Sequence, residues 1–138
     1  MDGKYMKDGT NPMRWDCKKN GCFNIIKRPR IELLAQFAPG RCGFGDIDGA
    51  LEQNGYLLLL EMKPAKKCLT RGQEIMYERI TRGGTIAVCL ISGDPQTMRT
   101  DSLTVWSKGQ ARDVDLVLGE VIRRWCEIVN DSPRAYST

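Results

Sequence analysis

The stretch that decides the fold of this chain is GDIDGALEQNGYLLLLEMK, residues 45–63. At its centre, Asn54-Gly55 is the strongest short-range signal for a β-hairpin, because both central positions of a type I′ turn need positive φ. The run that follows, YLLLLEM, is apolar at consecutive positions and therefore predicts a strand with both faces buried. The stretch indicates an antiparallel hairpin whose second strand lies inside a sheet.

The turn also determines which charged residues oppose one another. Counting outward from a two-residue turn sets Asp48 opposite Glu61 and Asp46 opposite Lys63, all on one face at one end of the hairpin. Opposed residues have Cβ atoms about 4.5–5.5 Å apart, so paired carboxylates repel unless a cation lies between them. We therefore predict a Mg²⁺ or Mn²⁺ site with Asp48, Glu61 and Asp46 as ligands, since Mg²⁺ prefers oxygen ligands at an open site. A solvated charged hairpin end is the alternative, and a β-bulge near the aspartates could exchange their roles.

The remaining sequence predicts helices and strands around this hairpin. The first 24 residues are polar and without period, which indicates an irregular arm. The order of elements predicts an α/β or α+β fold, a small mixed sheet flanked by helices, in a single domain of residues 1–138. The predicted elements are a short helix within residues 28–40, a helix from near Thr70 to Gly83-Gly84, strands at 85–92 and 102–106, and an amphipathic helix over 113–129 that covers one sheet face.

The amino-acid composition limits the reaction classes, location and partners that this protein can have. Hydrophobic residues make up 41% of the 138 residues and charged residues 28%, which is ordinary for a globular domain. The chain contains no histidine, so nucleophilic triads and histidine general bases are excluded and carboxylates, lysines, thiols or a metal must act. No apolar run is long enough for a membrane helix or a secretory signal, which predicts a cytoplasmic protein with no membrane partner. The net charge of +4 permits a nucleic-acid partner.

At the hairpin the chain resembles the PD-(D/E)xK nuclease superfamily. That superfamily is marked by an acidic residue that enters a hairpin and by Glu-x-Lys on the next strand. Here Asp48 or Asp46 supplies the first acid and Glu61-Met62-Lys63 supplies the second motif, although the customary proline before the aspartate is absent. The resemblance implies a restriction-endonuclease-like core and a catalytic site in which Lys63 helps to activate water.

The resemblance covers roughly residues 31–92 and implies further site residues. Gln73 and Tyr77 lie four apart on one helix and resemble the glutamine motif of VRR-NUC proteins and the Gln-x-x-x-Tyr of RecB-type and phage exonucleases. Glu32, in the first helix, is the candidate for an additional carboxylate. A surface glutamine, a half-buried tyrosine and a solvated glutamate are the alternatives. The residues expected to contact nucleic acid are Lys66, Lys67, Arg71 and Tyr77.

These features predict a metal-dependent nuclease acting on nucleic acid, with DNA as the expected substrate. A small stand-alone nuclease would suit a phage genome and the host cytoplasm, and a homodimer is left open. The alternatives are a non-catalytic nucleic-acid-binding or inhibitor protein that keeps the fold, and a zinc module.

The cysteines supply the zinc alternative. Six cysteines in a cytoplasmic protein are expected as reduced thiols or metal ligands rather than disulfides. Cys89 and Cys126 read as small core residues. The candidate ligands for a structural Zn²⁺, with free thiols as the alternative, are Cys17, Cys22, Cys42 and Cys68.

Overall fold

The computed structural model describes residues 31–37, 47–63 and 69–135. The chain divides between Gly45 and Asp46 into two units. In the first unit, the described residues form a 3₁₀ helix, Ile31–Phe37, where the sequence predicts a short helix. The predicted arm, residues 1–24, lies outside the described residues.

The second unit is an α+β fold built on a mixed five-stranded sheet. The strands lie in the order β1-β2-β3-β4-β5, where β2 and β3 are parallel and every other neighbouring pair is antiparallel. Because β2 and β3 are parallel, the chain must cross from the end of one to the start of the other, and a helix makes this crossing. The elements are β1 (Gly49–Gln53), β2 (Tyr56–Lys63), α1 (Arg71–Thr81), β3 (Ile86–Asp94), β4 (Arg99–Ser107), β5 (Gln110–Val114) and α2 (Leu118–Asn130).

The predicted hairpin is confirmed with its register. Asn54 and Gly55 have φ of 55° and 86°, as a type I′ turn requires. Gln53 pairs with Tyr56, and the pairing continues without a bulge to Gly49 opposite Leu60. The chain after α2 holds the turn from outside, since the backbone N–H of Ala135 donates to the carbonyl of Asn54 at 2.9 Å. Strand β2 lies between β1 and β3, which is the interior position that its apolar sequence predicts.

The two helices cover opposite faces of the sheet. Alternate strand residues point to opposite sides, and Leu58, Cys89, Ile91 and Leu103 pack in one core with Val121 of α2. The amphipathic closing helix therefore covers one face, as predicted. The other face lies under α1; its strand residues include Val88 and Leu90, which are buried, and Glu61 and Lys63.

The prediction for the last part of the chain was wrong at the start of the closing helix. Helix α2 begins at Leu118, while Asp113 and Val114 belong to strand β5. A second tight hairpin causes the difference, because Lys108 and Gly109 have φ of 52° and 79° and turn the chain back along β4. Gly109, which precedes the short run QARDV, was the signal for this turn in the sequence.

Among the described residues, no helix has the length and apolar character needed to cross a membrane.

Strand β3 contains a close approach that only glycine permits. The register with β4 shifts between Ser92 and Gly93, and Gly93 then faces Thr100. A Cβ built on Gly93 would lie 2.0 Å from the backbone oxygen of Arg99. The irregularity near the end of β3 therefore depends on a missing side chain.

We expect Gly93→Ala to destabilise the protein by about 1–3 kcal/mol, since the added methyl must displace the backbone of β4. Gly119→Ala is the control, because no atom lies within 4 Å of the Cβ position in this helical residue. Alanine at 119 should leave stability unchanged or raise it slightly. Urea unfolding of both variants measures the difference. Equal stability of Gly93→Ala and the wild type would contradict the close approach.

Candidate functional site

Asp48 and Glu61 lie next to each other on the face of the sheet that α1 covers. The pairing of the hairpin ends at Gly49 and Leu60, so Asp48 and Glu61 are the next residues outward on the two sides. The Oδ2 atom of Asp48 accepts a hydrogen bond from the backbone N–H of Met62 at 2.7 Å. This bond fixes the carboxylate beside the end of β2. A carboxylate has about four lone-pair positions, so a single hydrogen bond leaves it able to bind a cation.

Lys63 is the last residue of β2 and lies on the same face as Glu61, because the two residues are two positions apart on one strand. Its side chain is half-buried, and it pairs across the sheet with Ser92 of β3. An ammonium group therefore accompanies the two carboxylates at the end of the hairpin. Asp46, the third predicted metal ligand, lies outside the described residues.

Tyr77 connects helix α1 with the two acids. Its side chain is buried, with 3% of its surface exposed. Burial is the main cause that raises the pKa of Tyr77 to about 12, and the negative charges of Glu61 and then Asp48 raise it further. Both carboxylates therefore act electrostatically on the phenol. Tyr77 is thus an interior side chain of this structure, and its predicted contact with nucleic acid stays a prediction.

Gln73 has a definite role at the start of α1. Thr70 caps the helix, and its hydroxyl accepts the backbone N–H of Gln73 at 3.1 Å. In return, the side-chain oxygen of Gln73 accepts the backbone N–H of Thr70 at 3.0 Å. This reciprocal pair is a capping box. The amide oxygen of Gln73 therefore fixes the start of the helix, and its predicted support of the acidic site stays a prediction.

The remaining predicted site residues are less defined. Arg71 is exposed and its guanidinium forms an ion pair with Glu74 at 3.0 Å. Lys66 and Lys67 lie outside the described residues. The backbone of Glu32 belongs to the 3₁₀ helix, but its side chain lies outside the description.

The predicted zinc ligands Cys17, Cys22, Cys42 and Cys68 also lie outside the described residues. Cys89 is buried, as predicted for a core residue, and burial raises the pKa of its thiol to about 11. Cys126 is half-buried on α2. These two thiols therefore serve packing, and the zinc alternative remains a prediction.

In ranges 31–37, 47–63 and 69–135, no three Asp, Glu, Cys or His side chains form a group that could hold a metal ion. Two opposed carboxylates nevertheless fit Mg²⁺, because this ion keeps several waters and is often bound through one or two carboxylates. Asp48 and Glu61 would be those ligands, and Asp46 is the candidate third.

Sequence reasoning missed a group of residues beside the acids on the same sheet face. Trp106 of β4 packs against Tyr77 with ring centroids 5.9 Å apart and a tilt of 58°. The hydroxyl of Thr104 donates to Oδ1 of Asp113 on β5 at 2.8 Å. Asp113 was assigned to a helix, which concealed this arrangement. The signal available in the sequence was the alternation of Thr104 and Trp106 along β4, which places both on one face.

Comparisons of this chain with protein-family models, with curated proteins and with solved structures find no match in any of the three. The function therefore has to be inferred from the residues of the site.

We expect Glu61→Gln to lower the pKa of Tyr77, because removal of a negative charge near the phenol favours the tyrosinate. Ultraviolet absorbance of tyrosinate against pH, corrected by the Tyr77→Phe variant, measures this pKa. Glu52→Gln is the matched control, since Glu52 lies on the same face of the hairpin near the turn and is no cause of the Tyr77 shift. If Glu61→Gln leaves the Tyr77 titration unchanged, Glu61 does not lie against the phenol.

Proposed function

We propose that this protein is a metal-dependent nuclease that hydrolyses phosphodiester bonds in nucleic acid, with DNA as its substrate. The observation that carries the proposal is that Asp48, which accepts the backbone N–H of Met62, and Glu61 both act on Tyr77, with Lys63 two residues after Glu61 on the same face. This arrangement supports the resemblance to PD-(D/E)xK nucleases, which combine an acid, Glu-x-Lys and a following helix with Gln four residues before Tyr. The proposal includes a restriction-endonuclease-like core and a cytoplasmic location.

The proposed division of roles follows from the chemistry of each side chain. Asp48 and Glu61, with Asp46, would hold the divalent ion. A bound Mg²⁺ supplies an activated water and a positive charge next to the phosphate. The ammonium group of Lys63 would orient the attacking water or bind a phosphate oxygen, because it lies on the same sheet face as Glu61.

Tyr77 would maintain the acids in position beneath the substrate. With a pKa of about 12, its phenol stays protonated at neutral pH and adds no negative charge to the cluster. Its ring packs against Trp106. Binding of a cation to Asp48 and Glu61 would offset the negative charges that raise this pKa.

The net charge of +4 supports a polyanionic partner. Arg71 at the start of α1, and Lys66 and Lys67 just before it, are the residues proposed to bind phosphates. Contacts of this kind release counterions, so affinity for nucleic acid would fall as the salt concentration rises.

We expect Glu61→Gln and Lys63→Ala to reduce Mg²⁺-dependent cleavage by about 100-fold or more, since each removes a group that acts on the reacting phosphate or water. The assay uses linear, circular, single-stranded and branched substrates, which also determines the substrate type. Glu52→Gln should cleave at the wild-type rate. If either site variant retains full activity, or if the wild type binds nucleic acid but cleaves no substrate, the nuclease proposal is wrong.

Two variants of Gln73 separate its capping role from a role in activity. Gln73→Ala loses the hydrogen bond to Thr70, which should cost about 0.5–1.5 kcal/mol of stability. Gln73→Glu keeps the capping box, since glutamate also occupies this position of the motif. We expect Gln73→Ala to lower the cleavage rate less than Glu61→Gln does, because Gln73 is not a proposed metal ligand.

If Gln73→Glu has native stability and full activity, the residue serves only as a helix cap. If it has native stability but reduced activity, the amide itself supports the acidic site. Denaturant unfolding and cleavage kinetics on the same protein preparations provide both measurements.

A further inference from the structure

A cavity of about 380 Å³ lies on the sheet face that α1 covers. Its volume is within the range of small-ligand sites, roughly 300–1,000 Å³. Leu90, which pairs with Glu61 across β2 and β3, forms part of its lining. Trp106 and Ala111 supply further apolar surface. Leu90 therefore separates the cavity from Glu61, and Trp106 offers a large aromatic side chain to a planar ligand.

The polar side chains that line this cavity indicate which hydrogen-bonding groups a ligand should carry. Glu74 of α1 and Asp113 of β5 both line it; Glu74 is paired with Arg71 at 3.0 Å, and Thr104 donates its hydroxyl to Asp113. Ionised carboxylates only accept hydrogen bonds, and each has about four lone-pair positions. The acceptors of the cavity therefore match a planar group that carries N–H donors.

Trp106 adds an independent observation. Its indole N–H is buried and, among the described residues, has no hydrogen-bond partner. A buried donor without a partner is uncommon in native proteins. A heteroaromatic ligand beside this side chain would bring ring nitrogens and carbonyl oxygens, which are acceptors, into the neighbourhood of the indole.

We propose that the cavity binds an unpaired nucleobase of the cleaved strand, with guanine preferred. Aromatic side chains bind bases by stacking, and enzymes read an unpaired base by hydrogen bonds to its Watson–Crick edge. On that edge guanine carries adjacent N1–H and N2–H donors, which match carboxylate acceptors. Thymine and uracil carry a single N–H between two carbonyl oxygens, and those oxygens would face the carboxylates unfavourably.

The distance to the acids suits a nucleotide. Glu61, Leu90 and Thr104 form one row across β2, β3 and β4. Neighbouring strands are about 4.8 Å apart, so Thr104 lies about 10 Å from Glu61 along this row. This separation is comparable to the reach from the phosphate of a nucleotide to the far edge of its base. The inference rests on the proposed nuclease function, since it assigns the cavity to a base near the scissile phosphate.

Equilibrium binding tests this site without any need for cleavage. Fluorescently labelled single-stranded oligonucleotides, one of thymine alone and one with a single central guanine, are titrated with protein in EDTA. We expect the guanine oligonucleotide to bind about 10-fold more tightly, the size of effect that a good two-point base contact gives. Equal affinity for the two oligonucleotides would overturn the proposal.

Two variants locate the preference in the cavity. Asp113→Asn removes the negative charge and keeps an oxygen that can accept from Thr104, while Ala111→Leu adds bulk to an exposed residue of the cavity lining. Both should abolish the guanine preference. The control Gln110→Leu adds a similar side chain at the neighbouring position of β5, which points to the opposite face, and should retain it. If both cavity variants keep the preference, the base binds elsewhere and the proposal is wrong.

The binding and cleavage experiments distinguish failure of the base site from failure of the nuclease proposal. Cleavage by the wild type without a guanine preference would overturn the base site alone. A guanine preference that depends on Asp113 and Ala111, in a protein that cleaves no substrate, would support the base site and overturn the nuclease proposal.

Discussion

The register of the β1–β2 hairpin is the constraint on which the candidate site depends. Side chains alternate along a strand, so a slip of one residue would move Glu61 and Lys63 to the apolar face under α2. Asn54-Gly55 prevents such a slip, because its two positive φ angles fix a two-residue turn. The chain after α2 reinforces it through hydrogen bonds to Asn54 and Tyr56. The turn, at the opposite end of the hairpin from the acids, thus determines which face of the sheet the acids occupy.

Helix α1 adds the second part of the arrangement. Its start is fixed by the capping box of Thr70 and Gln73. Near its end, the buried hydroxyl of Thr81 accepts the backbone N–H of Gly109 at 3.1 Å, which ties the helix to the β4–β5 turn. The first fixes the start of the helix, and the second attaches its end to the far half of the sheet. Tyr77 lies between these two points and packs against Trp106.

The two faces of the sheet have different characters. Under α2, aliphatic side chains and Cys89 form a continuous core, so that face contributes stability. Under α1, the strand residues Val88 and Leu90 are buried. Toward β1, this face carries the charged residues Asp48, Glu61 and Lys63. Toward β5, it carries Thr104 and Asp113. The α1 face is therefore the face that combines apolar packing with charged and polar side chains.

The sequence by itself determined the hairpin, its register, the interior position of β2, the limits of α1 and the coverage of one face by the closing helix. Each of these depends on local signals: positive φ at Asn54-Gly55, apolar periodicity, and caps at Thr70 and Gly83-Gly84. Only the tertiary structure decided which side chains meet across strands distant in sequence. The pairing of β4 with β5 brought Asp113 to Thr104, and the packing of α1 buried Tyr77 against Trp106, because such contacts depend on strand order and helix placement rather than on local residue preference.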